Sequence, residues 1–174
     1  MSKPPPGDQA RVSVSIALPP PAVFKLFTEE IDRWWRRGPR FRNAGSPGGL
    51  IHLEPGLGGR LFESFDTEAG PQVFEAGQVT QWEPPARLAF TWRNSVFEAH
   101  ELTLVEVEFR ATASGSLVTV THRGWAALRP DHPARHGMDS VSFCRQLGLW
   151  WGDQMASLRS RATGADTGGG TLRG

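Results

Sequence analysis

Six short extended segments follow one another in the middle of the chain, and only a few residues separate each from the next. Their polar and apolar side chains alternate, which is typical of half-buried β-strands. The segments cover residues 50–55, 58–65, 72–83, 86–92, 101–111 and 116–125. Such short connections leave no room for the crossover helices that parallel strands need. The pattern therefore predicts an antiparallel meander.

Helical patterns flank this meander. A strand-like segment at residues 11–18 is followed by apolar side chains at helical spacing over residues 22–35, with a break expected near Thr28. After the meander, apolar side chains recur every three or four residues from about Met138 to Arg161, which predicts a long amphipathic helix. A one-sided sheet and a helix with an apolar stripe most economically cover each other, so we expect an α+β fold.

The length of 174 residues suits one domain, which we place at residues 11–161. Residues 1–10 and the Gly-rich residues 162–174 contain few large apolar side chains, so we expect both tails to be disordered. A single cysteine, no long apolar run and no signal peptide predict a cytoplasmic protein without disulfides or membrane insertion. With a net charge of +1 and no phosphate loop or dinucleotide motif, we expect neither a nucleic-acid partner nor a cofactor.

Four segments carry a family resemblance: GGRLFE at 58–63, GQVTQWEPPARLAFTW at 77–92, VEVEF at 105–109 and VTVTHRGW at 118–125. They resemble homologues of the heat-shock-protein-90 ATPase activator, within the START-like or SRPBCC superfamily. The resemblance covers about residues 11–160. It implies a helix-grip fold, in which a curved antiparallel sheet wraps a C-terminal helix around an apolar cavity. The superfamily includes lipid carriers, hormone receptors, polyketide cyclases and co-chaperones, so the resemblance leaves the function open.

The aromatic composition suits such a cavity. The chain has seven tryptophans, ten phenylalanines and no tyrosine, so most of its aromatic surface has to be buried or to line something apolar. Strand alternation and helical spacing then select the residues expected to bind a ligand, which are Trp35, Phe90, Trp92, Val107, Phe109, Val120, His122, Phe143, Leu147 and Trp151. A pocket lined by these groups suits a flat, apolar small molecule. The alternative is that the same side chains simply fill the core.

Polar candidates for chemistry are few. His122 could bind a ligand carbonyl or act as a general base, or it could be a structural histidine bonded to neighbouring strands. His132 and His136 have the spacing of a helical metal pair, but Pro133 lies between them, so we expect a solvated loop and no metal. Cys144, on the apolar face of the long helix, is interpreted as a small buried hydrophobe.

Strand carboxylates could do acid–base work if one of them faced inward. Alternation places Glu106 and Glu108 on the solvent side, away from Val105 and Phe109. With no Ser-His-Asp arrangement either, the sequence predicts no catalytic residue. A polyketide-cyclase-like enzyme remains an alternative.

A basic segment follows the first helical pattern. It interleaves five arginines with three aromatic residues, namely Arg33, Trp34, Trp35, Arg36, Arg37, Arg40, Phe41 and Arg42. We interpret it first as a lid over the cavity mouth, with the tryptophans packed inward and the arginines solvated. The second interpretation is a docking surface for an acidic protein, through Arg36 and Arg37. Nucleic acid comes third.

The expected function is therefore the binding of a small apolar or aromatic molecule by a monomer or dimer. The family resemblance also implies an alternative, a protein-interaction module that stimulates a chaperone ATPase. Full activators carry an additional N-terminal domain, whereas only about ten residues precede this one, so we favour ligand binding.

Overall fold

The computed structural model describes residues 2–43 and 49–164. It contains one sheet of seven strands, three α-helices and two short 3-10 turns, which confirms the α+β class. The strands are β1 (Ala10–Ile16), β2 (Leu50–Leu53), β3 (Arg60–Thr67), β4 (Gly70–Glu83), β5 (Arg87–Trp92), β6 (Thr103–Thr112) and β7 (Gly115–Arg123). The helices are α1 (Pro20–Glu29), α2 (Ile31–Trp34) and α3 (Ser140–Ala162), and the 3-10 turns are Trp125–Ala127 and Pro133–Arg135.

The predicted meander is confirmed. The strand order is β1-β7-β6-β5-β4-β3-β2, and each neighbouring pair is antiparallel. Strand β1 pairs with β7, so that Val12 lies opposite Val120 and Val14 opposite Val118. The first strand of the chain thereby extends the sheet beside the last one.

The first helical segment breaks at Glu30, two residues after the expected position. Thr28 does not begin a new helix because its hydroxyl donates a hydrogen bond to the carbonyl of Phe24, 2.9 Å away, within α1. Helix α2 then places Trp34 and Trp35 in the interior, where both are buried. The basic segment that follows is thus held close to the core.

The predicted long helix is confirmed as α3. It begins at Ser140, because the carboxylate of Asp139 accepts a hydrogen bond from the backbone N–H of Ser142 at 2.9 Å and caps the first turn. The expected apolar stripe, Phe143, Cys144, Leu147, Trp150, Trp151, Met155 and Leu158, is buried except for Trp150, which is half-buried, and the polar Gln154 is buried beside it. Burial raises the pKa of the Cys144 thiol, which favours its interpretation as an inert apolar group.

Both ends of the folded unit extend slightly beyond the expected boundaries. The backbone carbonyl of Asp8 accepts a hydrogen bond from Trp125 N–H, and its carboxylate accepts one from Ala126 N–H, each at 3.1 Å. Helix α3 continues through Ala162. The rest of the predicted Gly-rich tail, from residue 165 onward, lies outside the described residues. No helix in the described ranges is long and apolar enough to cross a membrane.

Candidate ligand-binding cavity

A cavity of about 550 Å³ lies between α3, the ends of β5 and β7, and the loop that follows α2. Five of the seven tryptophans of the chain contribute to its wall. The aromatic lining residues are Trp35, Phe41, Trp92, Trp125, Phe143, Trp150 and Trp151. The rings contact one another at angles far from parallel; Trp125 and Phe143, for example, have centroids 4.6 Å apart and planes inclined by 55°. The imidazole of His122 contacts Trp92, Trp125 and Trp151, and with it these rings form an aromatic wall.

Six of the ten residues selected from the sequence meet at this cavity, namely Trp35, Trp92, His122, Phe143, Leu147 and Trp151. The other four, Phe90, Val107, Phe109 and Val120, do not line it and are almost completely buried in the core. The reason is that α1 covers part of the inner face of the sheet. Phe24 and Phe27 of α1 pack on Phe109, with ring centroids 5.1 and 5.6 Å apart. The sequence left open whether the inward side chains fill the core or line a cavity. They do both: four of the ten fill the core, and six line the cavity.

His122 is held by hydrogen bonds on both ring nitrogens. Its Nδ1 accepts from the indole N–H of Trp151 at 3.1 Å, and its Nε2 lies 2.7 Å from the hydroxyl of Thr103. That hydroxyl donates to the carbonyl of Trp92, so it accepts the Nε2–H of the imidazole. Burial lowers the pKa of His122 to about 3. The ring is thus a neutral connector, which favours the structural interpretation over a general base.

The mouth of the cavity is formed by the loop after α2, which contributes Pro39, Arg40 and Phe41. Sequence periodicity does not orient this irregular segment, although its basic and aromatic pattern led to the expectation of a lid. The indole N–H of Trp35 donates to the carbonyl of Phe41 at 2.9 Å, which ties the loop to the end of α2.

Arg42 corrects the expectation that the arginines of this segment are solvated. It is 7% exposed, and its guanidinium donates to the Asp32 carboxylate at 2.7 Å and to the carbonyls of Trp35 at 2.7 Å and Gly49 at 3.1 Å. Burial of Asp32 opposes its ionisation, but hydrogen bonds from Ile51 N–H and Arg42 outweigh this effect and lower the pKa of its carboxyl group. Arg42 therefore holds the loop in place from inside.

Arg36, Arg37 and Arg40 are exposed, as expected. Arg37 forms an ion pair with Asp32 at 3.0 Å, and the guanidinium of Arg36 lies over the ring of Phe41, 5.6 Å from its centroid. The backbone N–H of Arg36 donates to the side-chain oxygen of Gln154 on α3 at 2.8 Å. This last bond connects the loop to the opposite wall of the cavity.

The segment with two histidines differs from the expected solvated loop. His132 is 1% exposed, and both of its ring nitrogens have partners. Its Nε2 lies 3.1 Å from the Glu101 carboxylate, and its Nδ1 accepts from Ala134 N–H at 3.1 Å. His136 lies apart from that pair, lines the cavity beside Trp150, and adopts a left-handed backbone conformation with φ of 51°. Within the described residues, no group of three His, Cys, Asp or Glu side chains is arranged to hold a metal ion.

The carboxylates of the strands do not enter the cavity. Glu106 and Glu108 lie on the solvent side of β6, as predicted, and Arg123 pairs with Glu106. Glu63 is buried on β3, but both of its oxygens accept from the backbone N–H of Asn43, and it is not among the lining residues. None of the described residues that line the cavity is therefore acidic.

A curled antiparallel sheet that grips a C-terminal helix around an internal cavity defines the helix-grip class of domains. Comparison with family models places the chain within this class more closely. The chain belongs to the family described as Activator of Hsp90 ATPase homolog 1-like protein, whose model matches residues 17–147. No curated protein matches the sequence significantly.

Solved structures show the same fold at low sequence identity. A protein from Mesorhizobium loti is 17% identical, with a TM-score of 0.60 over 90% of this chain and 97% of its own. The Aha1 dimer from Colwellia psychrerythraea is 15% identical, with a TM-score of 0.59 over 93% and 98%. A protein of the dynemicin biosynthetic locus is 22% identical, with a TM-score of 0.57 over 90% of this chain and 48% of its own.

Proposed function

We propose that the protein binds a flat, largely apolar small molecule in the cavity between the sheet and α3. The observation that carries this proposal is the aromatic wall around an open space of about 550 Å³. Sites for drug-sized ligands span roughly 300–1,000 Å³ and are lined mainly by apolar and aromatic groups with a few polar ones. The size and lining of this cavity fit that description.

The wall is built to keep its shape without a ligand. Trp151 is held by His122, Trp35 is held by the Phe41 carbonyl, and Gln154 bridges to Arg36 across the mouth. Each of these bonds places a lining side chain that would otherwise be free to turn into the open space. Such preorganisation favours binding, because little conformational entropy is lost when the ligand enters.

A related structure belongs to a biosynthetic locus for a small molecule, dynemicin, which supports a small-molecule role for this fold. A cyclase-like reaction with His122 as the base is not proposed, because both ring nitrogens already have partners. The proposal is therefore binding without chemistry at that histidine.

Native mass spectrometry of the freshly purified protein tests the proposal, together with a variant in which the cavity is blocked. Gln146 lines the cavity from α3, whereas the next residue towards the N-terminus, Arg145, is exposed outside it. Either of two results would show binding: a small-molecule mass retained on the protein, or a melting temperature raised by 2-naphthoate or 2-naphthamide. We expect wild type and Arg145→Trp to show at least one of these results and Gln146→Trp to show neither. Absence of both effects in wild type would reject the proposed function.

A second candidate is docking of a protein partner on the exposed arginines of the loop after α2. The observation that favours it is Arg36, which is exposed and has no carboxylate within ion-pair distance among the described residues. The family description and the related Aha1 dimer support the same idea. If wild type stimulates the ATPase activity of purified Hsp90, or associates with itself, we expect Arg36→Glu to abolish that effect. The melting temperature of the variant should equal that of wild type. No stimulation and a monomer in wild type would reject this candidate.

A further inference from the structure

We propose that the occupant of the cavity is a flat aromatic acid that is ionised at neutral pH. This inference rests on the proposed function and adds the chemical class of the ligand. It follows from the hydrogen-bonding groups and the charges that the wall leaves without partners.

Three lining side chains each already accept one hydrogen bond. The Gln154 side-chain oxygen accepts from Arg36 N–H, the Asn94 side-chain oxygen accepts from Val96 N–H, and Nδ1 of His122 accepts from Trp151. Backbone and indole N–H groups can only donate, so these assignments of the acceptor atoms follow from the network. Each amide oxygen keeps a second lone pair, and Gln146 and His136 also line the cavity, so acceptors remain for a ligand as well as donors.

Donor groups of the wall are also available to a ligand. The amide NH2 groups of Gln154 and Asn94 remain as donors once their oxygens are bonded. A buried donor without a partner costs free energy, so an occupant that brings acceptor oxygens is favoured.

Among the described residues that line the cavity, Arg40 is the one with a permanent charge. Arg40 lines the mouth, is exposed, and lies within ion-pair distance of no carboxylate in the part of the chain that the structure describes.

The charge of Arg40 at the mouth favours a carboxylate or a similarly ionised oxygen group over a neutral carbonyl. The aromatic wall at the same time favours a flat ring system.

Three isosteric probes separate shape from charge: 2-naphthoate, 2-naphthamide and 2-naphthamidine carry charges of about −1, 0 and +1 on one planar skeleton. We expect calorimetric titration to show that wild type binds the carboxylate about fivefold or more tightly than the amide, and the amidinium most weakly. Arg40→Gln is expected to remove most of the preference for the carboxylate, measured as the ratio of its affinity to that of the amide. Arg145→Gln, which removes the same charge from outside the cavity, is expected to behave as wild type.

The outcomes distinguish this inference from the function on which it rests. Equal affinity for the carboxylate and the amide, or preference for the amidinium, would overturn the inference and leave small-molecule binding intact. An equal loss of carboxylate affinity in Arg40→Gln and Arg145→Gln would also overturn it, because the effect would then be one of net charge. Failure of all three probes to bind, together with no retained small-molecule mass in wild type, would reject the proposed function as well.

Discussion

His122 shows how a residue with catalytic potential becomes a structural one. Its position in the cavity wall suggests chemistry, but each ring nitrogen has a fixed partner, and the surrounding tryptophan rings exclude water from it. The imidazole orients Trp151, which itself forms part of the wall. His122 therefore shapes the cavity through a neighbour.

The low pKa of His122 makes the stability of the fold depend on pH. Because the pKa is about 3 in the folded state and near 6.5 in the unfolded chain, the unfolded state binds more protons between these values. The contribution of His122 to the free energy of unfolding should therefore be complete above pH 6.5. As the pH is lowered from there towards 3, the free energy of unfolding should fall by up to about 1.4 kcal/mol per pH unit.

Urea titrations at several pH values measure this dependence. We expect His122→Gln to be less stable at pH 7 and to have a shallower loss of stability on acidification, while His100→Gln, at an exposed histidine, keeps the wild-type profile. An unchanged slope in His122→Gln would contradict the assignment of a neutral buried imidazole.

Arg42 is the second residue whose role depends on burial. Removing it leaves Asp32 and the carbonyls of Trp35 and Gly49 without their donor, so we expect Arg42→Ala to lower the free energy of unfolding by about 3–5 kcal/mol. Arg33→Ala, which breaks only the exposed pair with Glu30, should cost less than about 1 kcal/mol. Similar losses in the two variants, measured by chemical denaturation, would show that Arg42 is not the anchor of the loop.

Two glycines are expected to respond in opposite ways to substitution by alanine, because their surroundings differ. In β4, a Cβ on Gly77 would lie 1.7 Å from the backbone oxygen of Thr91, so the neighbouring strand has to shift. In α3, a Cβ on Gly148 would meet nothing within 4 Å. We expect Gly77→Ala to destabilise by about 1–3 kcal/mol or more, and Gly148→Ala to stabilise by about 0.5–1 kcal/mol. Thermal unfolding of both variants tests this, and a change of the same sign in both would refute the local account.

At the scale of elements, most of the fold could be predicted from the sequence. Strand alternation and short connections are local signals, and all six predicted segments of the meander became strands of one sheet. The apolar stripe of α3 and its capping residue, Asp139, are local as well. The break between α1 and α2 was misplaced by two residues, because the hydroxyl of Thr28 bonds back into its own helix.

The site was less predictable, since it depends on contacts between distant segments. Alternation shows which face of β6 is apolar. It does not show that α1 covers Phe109 on β6, or that Trp92 on the neighbouring strand β5 lines the cavity. Burial of Arg42 and of His132 depends on partners 10 and 31 residues away, Asp32 and Glu101. The irregular segments that contribute Arg40 and His136 have no periodicity to orient them.

For the whole molecule, the sheet and α3 together define one interior with two parts. Under α1 the aromatic and aliphatic side chains fill the space, whereas under α3 the tryptophans line an opening. Since ligand binding stabilises only the folded state, we expect 2-naphthoate at 100 times its dissociation constant to increase the free energy of unfolding by about 2.7 kcal/mol. A melting temperature that does not change at such concentrations would contradict binding to the native fold.

Calorimetric titration of 2-naphthoate into wild type, Gln146→Trp and Arg145→Trp tests the central claim most directly. The account predicts saturable one-to-one binding to wild type and Arg145→Trp, with the affinity of Gln146→Trp at least about tenfold lower because the new ring occupies the cavity. Equal affinity in wild type and Gln146→Trp would place the ligand elsewhere on the molecule, and no saturable binding to wild type would contradict the claim itself.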